Sequence, residues 1–242
     1  MTNDQAAPYS EIYPAGDEGF FIRFGNDISA QAHERIFACL EILDEKKPDW
    51  LIDSIPSYLS ILVLYDCLKI QADEVCSWIK QNLHQIPKRP ISHHLVEIPV
   101  WYSPDVAPDL EDLAKSKQLS IEEFVALHTA PDYLVYMLGF KPGFPFLGGL
   151  DRRLWTPRHA APRLEVAAGS VGIGGKQTGI YPVKSPGGWR IVGRTPLRIF
   201  NLTPEARDAA SFRPESCFRI LPGDTVKFFS IDGDAYRELG GK

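Results

Sequence analysis

Between Gly139 and Thr195 the chain reads GFKPGFPFLGGLDRRLWTPRHAAPRLEVAAGSVGIGGKQTGIYPVKSPGGWRIVGRT. This block constrains the fold more than any other part. Twelve of the 19 glycines fall inside it, with prolines set between them. Such spacing leaves no room for a long helix and cuts the segment into short strands joined by turns. From Gly139 onward the pattern therefore predicts a closed or nearly closed β domain, not strands and helices alternating around a parallel sheet. Glycine at this density also lets backbone approach a ligand or take positive φ.

The same block holds nine Lys/Arg against two acids, Asp151 and Glu165, a local balance of about +7 in a chain of net charge −5. Clustered cations favour an anionic ligand. The alternative is a barrel surface whose arginines pair with acids from elsewhere in the fold. The chain as a whole is acidic, with a pI near 5.7. Its basic footprint is local and carries no RNP-like or helix-turn-helix pattern, which argues against a nucleic-acid partner.

At 242 residues the chain can bury a substantial core, and 44% apolar with 24% charged residues is ordinary for a globular protein. No stretch approaches the roughly 20 apolar residues that span a membrane. The N-terminal MTNDQAAPYSEIYP lacks the basic and apolar regions of a secretory signal and reads as a short mobile lead-in. Cys39, Cys67, Cys76 and Cys217 show neither zinc-ligand nor disulfide-framework spacing, so a reducing cytoplasm is the expected compartment.

Residues 18–24 alternate, with Phe20, Ile22 and Phe24 on one face of a strand. Asp27 or Ser29 can cap a following helix carrying Ile28, Ala32, Ile36, Leu40 and Leu43, which Pro48 ends. Apolar runs around Trp50–Asp53 and Leu59–Tyr65 come next. A second amphipathic stretch, 71–84, aligns Val75, Ile79 and Leu83, and 94–101 alternates again. The order β-α-β-β-α-β predicts a ferredoxin-like α+β domain over residues 1–93, with Gln85–Pro90 as a stiff connection, followed by a mainly-β domain over 94–242, the strand at 94–101 being open to either. Within the second domain, Asp109, Glu111 and Asp112 read as acids of a first helical turn. Ser120 and Glu123 read as the capping box of a second short helix, and Asp132–Leu138 as a buried strand.

No standard catalytic motif is present. A P-loop register around Gly175-Lys176 fails at Ser170 and Gln177. Gly172-Ile173-Gly174 lacks the third glycine of a dinucleotide fingerprint, and Ser170 is no nucleophile elbow. The candidate site residues are therefore individual. His128 follows Ile121, Phe124 and Val125 at helical spacing and faces inward, either as a neutral core histidine or as a hydrogen-bond donor or general base. Arg158, Arg163 and Arg194 sit in proline-bearing runs (TPR, APR, GRTP) and offer planar forks for carboxylate or phosphate. Gln177, Thr178 and Tyr181 of QTGIYP can hydrogen-bond an amide, or simply pack the barrel. Phe140, Phe144, Phe146 and Trp189 are either core or, if exposed, an interface anchor; at least two of them are expected at a partner interface, with Phe144, Phe146 and Trp189 as the candidates. His93, His94 and His159 read as surface or boundary residues. No metal site is expected.

The runs GFxPGFPFLGGL, TPR…APRL, AGSVGIGG, QTGIYP, SPGGW and GRTPL resemble the family of the 5-oxoprolinase B subunit, the carboxyltransferase subdomain C and D group. That family also includes Kip-type inhibitors of sporulation kinases and the first-subunit region of allophanate hydrolase and urea amidolyase. Gly16–Asp27, Ile55–Asp66, Pro108–Leu110, Leu127–Thr129 and Leu221–Asp224 follow the family order. The resemblance implies a cyclophilin-like barrel for the second domain and places His128 in a family-like LHT run. It also implies a hetero-oligomeric, ATP-hydrolysing enzyme that opens 5-oxo-L-proline to glutamate. ATP with magnesium would be its co-substrate, and the C and A subunits of 5-oxoprolinase its partners. A site completed by a partner would leave this chain inactive alone. The other roles it implies are inhibition of a sensor histidine kinase and membership of an allophanate- or urea-processing complex. One departure stands out: Ser103–Ala107 (SPDVA) replaces the GGE-type run that the family carries before PDL.

Overall fold

The alternating Phe20, Ile22 and Phe24 are buried, as are Ile61, Val63 and Tyr65, and they form one face of a sheet. In the computed structural model, which describes residues 9–83, 94–202 and 214–241, the chain divides into two units, Met1–Ser92 and His93–Lys242. The first contains β1 (Glu11–Pro14), β2 (Gly19–Arg23), α1 (Ala30–Lys46), β3 (Leu51–Pro56), β4 (Ser60–Tyr65) and α2 (Ala72–Asn82). The strands form an antiparallel sheet in the order β1-β2-β4-β3. Ala32, Ile36, Cys39 and Leu43 of α1 pack into one core with the sheet, together with Val75 and Ile79 of α2 and Leu83 just beyond it. Each such Ile or Leu contributes about 1.5–3 kcal/mol on burial.

The helix ends follow local chemistry. The Ser29 hydroxyl accepts from the Ala32 amide at 3.2 Å and starts α1, leaving Ile28 outside the helix and 45% exposed. Lys47 closes the helix in the left-handed region at φ 32°, just before Pro48. In α2 the Gln71 amide donates to Glu74 Oε2 at 3.1 Å.

Two expectations are corrected here. Residues 11–14 are not a lead-in but the edge strand β1, in register with Phe20–Arg23. The strand at 94–101, the last β of the expected βαββαβ order though open to either domain, lies in the barrel of the second unit, so the first unit reads ββαββα. Alternation identifies a strand but not its sheet, because either edge offers the same backbone partners. The expected stiff connection Gln85–Pro90, and His93, lie outside the described residues.

The second unit runs β5 (Leu95–Trp101), α3 (Leu110–Ser116), α4 (Ile121–Thr129), β6 (Tyr133–Leu138), β7 (Pro145–Gly148), β8 (Arg163–Val166), β9 (Ser170–Gly174) and β10 (Gln177–Ile180). It continues with β11 (Ser185–Gly187), β12 (Arg190–Arg194), α5 (Pro214–Cys217), β13 (Thr225–Ile231) and α6 (Gly233–Glu238). Seven strands close a barrel in the order β10-β7-β6-β13-β5-β12-β9, with β8 and β11 forming a separate ribbon. The late strand β13 inserts beside β5 in parallel, from Thr225 opposite Leu95 to Ile231 opposite Trp101. Inward residues such as Ile98, Val100, Val135, Leu147, Val171, Ile173, Ile180, Val192, Val226 and Phe228 fill its core, joined by Leu110 and Leu113 of α3 and Phe124 of α4. The capping box at Ser120 and Glu123 forms as the sequence predicts. No described helix is long and apolar enough to cross a membrane.

Candidate functional site

A cleft of about 410 Å³ opens on the second unit, walled by Phe140, Phe144, Phe146, Tyr181 and Trp189, with Arg158 and His159 at its polar side. Glycine makes this wall possible. A Cβ on Gly174 would lie 2.5 Å from the Trp189 ring, and one on Gly187 would collide with the Tyr181 hydroxyl. The two aromatic side chains therefore lie directly on strand backbone, where any side chain would lift them off. Phe144 meets Tyr181 and Trp189 edge to face, at centroid distances of 5.1 and 5.3 Å. These quadrupole-favoured contacts hold the rings in fixed orientations.

Most cations of the glycine-rich block turn out to have local partners. Lys184 pairs with Glu165 and Arg153 with Asp151. Arg152 and Lys176 lie over Trp155, and Lys141 over Phe140. Arg158 stands over Trp189, with its Cζ 5.7 Å from the ring, and no carboxylate pairs with it among the described residues. An exposed guanidinium held over an aromatic face keeps its planar donor fork available to a carboxylate or phosphate.

Arg163 lies beside this cleft but does not serve it. Its Nη1 donates to Asp109 Oδ2 at 2.9 Å and its Nη2 to Oδ1 at 2.7 Å. Oδ2 also accepts from the Ile191 amide at 2.6 Å, while the Asp109 amide donates to the Ile191 carbonyl at 3.2 Å. Asp109 is thus a buried clip that ties the start of α3 to β12. Burial alone would raise its pKa, but the Arg163 fork, the Ile191 amide and His159 hold it below the usual carboxylate value. Expected as a ligand-binding residue, Arg163 has its fork occupied within the chain. It follows instead the alternative in which block arginines pair with acids from elsewhere.

His159 completes this cluster, although its sequence context reads as surface. Its Nε2 is 2.8 Å from Arg163 Nη1 and 3.1 Å from Asp109 Oδ1. One ring nitrogen cannot accept from the arginine and donate to the aspartate at once, so the tautomer selects the partner. Asp109 reads in sequence only as an acid favoured by a helix dipole. The signal that could have found it is the cation surplus of the block, which requires acids from other segments.

His128 is fully buried on α4, its ring stacked on Phe228 at 5.0 Å. Thr178 Oγ1 donates its single proton to the Gly172 carbonyl at 3.0 Å, so it must accept from His128 Nε2 at 2.9 Å. Nδ1 then accepts from the Tyr102 hydroxyl at 2.8 Å. Hydrogen bonding thus selects the neutral Nε2-protonated tautomer, and burial drives the pKa down to about 3. Both nitrogens are committed, so the general-base expectation finds no free lone pair here. His128 and Thr178 together form a polar tie through the barrel core.

The other expected site residues separate. Tyr181 joins Arg158 in the cleft wall, whereas Gln177 lies on β10 and Thr178 in the core. Arg194 donates through Nε to the Ala168 carbonyl at 3.0 Å and borders a different hollow with Thr195 and Pro196. Phe144 and Trp189, expected to be interface anchors, are only 1% and 5% exposed, because they are packed into the cleft wall. Phe140 is the exposed member of the set, at 59%.

Residues 10–210 match the model of the carboxyltransferase domain, subdomain C and D. The chain is 39% identical to the B subunit of 5-oxoprolinase from Bacillus subtilis (strain 168), over 94% of this chain and 97% of that protein. A crystal structure of TTHA0988 matches it with a TM-score of 0.75 and 36% identity, over 89% of this chain and 40% of the other. The chain therefore spans about two fifths of that solved relative. The urea carboxylase of Kluyveromyces lactis, 18% identical, shares the fold with a TM-score of 0.75, over 94% of this chain and 22% of that one. The chain belongs to the carboxyltransferase subdomain C and D family, the family that includes the proteins named as the B subunit of 5-oxoprolinase.

Proposed function

We propose that this chain is one component of a complex that opens 5-oxo-L-proline to L-glutamate with hydrolysis of ATP, and that the aromatic cleft beside Arg158 seats the lactam acid. The family relationship supports membership of such a complex. The observation that carries the assignment to the cleft is Arg158, a cation without a carboxylate partner among the described residues, poised over Trp189 at an apolar wall. A lactam acid has a flat amide face and one carboxylate, and that pairing suits rings on one side and a guanidinium on the other.

A lactam is a poor electrophile. Phosphoryl transfer from ATP to the amide oxygen would supply a leaving group; a first water then adds to the carbon and the C–N bond opens to the free amine, leaving an acyl phosphate, and a second water releases phosphate and the carboxylate. In this reading the chain binds and orients the ring and excludes water from one face of it. ATP with magnesium enters as co-substrate of the complex. Among the described residues no group of three or more His, Cys, Asp or Glu is placed to hold a metal ion. The C subunit of 5-oxoprolinase as a stable direct partner, and the A subunit, would complete the site. A solved relative in which the matched region is only 40% of a longer chain is consistent with that division.

The test is ATP-dependent glutamate formation by this chain assembled with those two partners. Arg158→Ala should lower kcat/KM by about 10- to 100-fold, the size of a lost charge-assisted bond, with an unchanged melting temperature. Absence of glutamate formation by the wild-type complex overturns the activity. Full activity in Arg158→Ala moves the ligand out of this cleft, and steady turnover by the partner-free chain removes the shared site.

A further inference from the structure

Phe140 sits in the left-handed region at φ 64°, where a bulky L-residue is strained. The block holds four other positive-φ positions, and each is a glycine: Gly143, Gly149, Gly169 and Gly175. Glycine would occupy position 140 without strain. The phenylalanine there gains little from burial either, being 59% exposed. Strain that packing does not repay points to a role for the ring itself.

The ring stands at a boundary. On one side it forms the rim of the aromatic cleft, meeting Phe144 edge to face at 5.6 Å and Tyr181 at 6.4 Å. On the other it borders a second hollow of about 280 Å³, lined with it by Leu138, Lys141, Pro142, Gly143 and Phe218. Lys141 lies over the same ring at 5.9 Å. One side chain, positioned by a strained backbone, therefore divides two adjoining hollows.

We infer that Phe140 is the specificity-determining wall of the ligand seat: it covers the outer face of a small ring and bars larger ones from extending toward the second hollow. This rests on the reading of the cleft as the lactam seat. Its contribution is a ring face against the ligand and a limit on ligand size, not a proton or a charge.

The experiment compares Phe140→Gly, Phe140→Ala and Phe140→Tyr in the assembled complex, using 5-oxo-L-proline and its six-membered homologue, 6-oxopiperidine-2-carboxylate. Gly and Ala both remove the ring, but only Gly relieves the strain. The melting temperature of Phe140→Gly should therefore exceed that of Phe140→Ala, while both lose selectivity alike. The ratio of kcat/KM for the five-membered over the six-membered lactam should fall about tenfold in both, and Phe140→Tyr should restore it. KM for 5-oxo-L-proline should rise about three- to tenfold, as for loss of one aromatic contact. Unchanged selectivity in Gly and Ala, with Arg158→Ala still impaired, overturns the role of Phe140 alone. Selectivity that follows melting temperature instead of the ring also overturns it. A wild-type complex that turns over neither lactam removes the cleft reading, and this inference with it.

Discussion

Arg163 and Asp109 meet fork to fork across 54 positions of sequence, with N···O distances of 2.9 and 2.7 Å, and the same carboxylate receives the Ile191 amide. A residue that looks in sequence like a ligand clamp is thereby a fastener between α3, β8 and β12. The pair stands directly behind the cleft, since His159 touches both partners and also lines the cleft.

Asp109→Asn should therefore destabilise the second unit by about 2–4 kcal/mol, because it leaves Arg163 without its counter-charge in a half-buried place. Arg163→Lys keeps the charge but loses the two-pronged geometry, and should cost about 1–2 kcal/mol. Urea unfolding of the purified variants measures both. Full stability in the two variants would mean that the pair is incidental.

Acid should unfold the protein in two stages with different causes. The folded-state pKa of His128 is depressed to about 3, whereas the unfolded ring titrates near 6.5. Below 6.5 the unfolded chain takes up a proton that the folded chain refuses, so stability is full above 6.5 and falls toward pH 3. The slope is about 1.4 kcal/mol per pH unit. Asp109 has the opposite charge but the same sign of effect. Its lowered pKa contributes stability above the usual carboxylate value of 3.8, and that contribution is lost as pH falls further. Unfolding free energies from pH 7 to 4 should show the His128 slope in the wild type and a shallower one in His128→Gln. Equal slopes would show that some other group governs this range.

Gly174→Ala tests whether glycine shapes the cleft. The new methyl must displace the Trp189 ring, at a cost of about 1–3 kcal/mol for overpacking. Indole fluorescence from Trp189 should shift, and 5-oxo-L-proline turnover by the complex should fall. Gly175→Ala makes a useful contrast: nothing lies within 4 Å of its Cβ, so only the strain of its φ of 66° is added. If the two variants match in fluorescence and activity, the close approach of Trp189 has no role.

Local periodicity was enough to place the strand at Phe20–Phe24, both amphipathic helices, the Ser120 capping box and the β character of the block that begins at Gly139. Each depends on neighbours a few residues apart, where side-chain spacing and backbone hydrogen bonding act directly. Tertiary structure alone decided that residues 95–101 pair with β13 in the barrel and that residues 11–14 take a sheet edge in the first unit, because strand pairing is chosen among distant edges of equal backbone chemistry. The same distance separates the two readings of the arginines. Charge and proline could nominate Arg158 and Arg163 equally. Only the approach of Asp109, 54 residues before Arg163, fastens one of them into the scaffold and leaves the other over Trp189, facing the cleft.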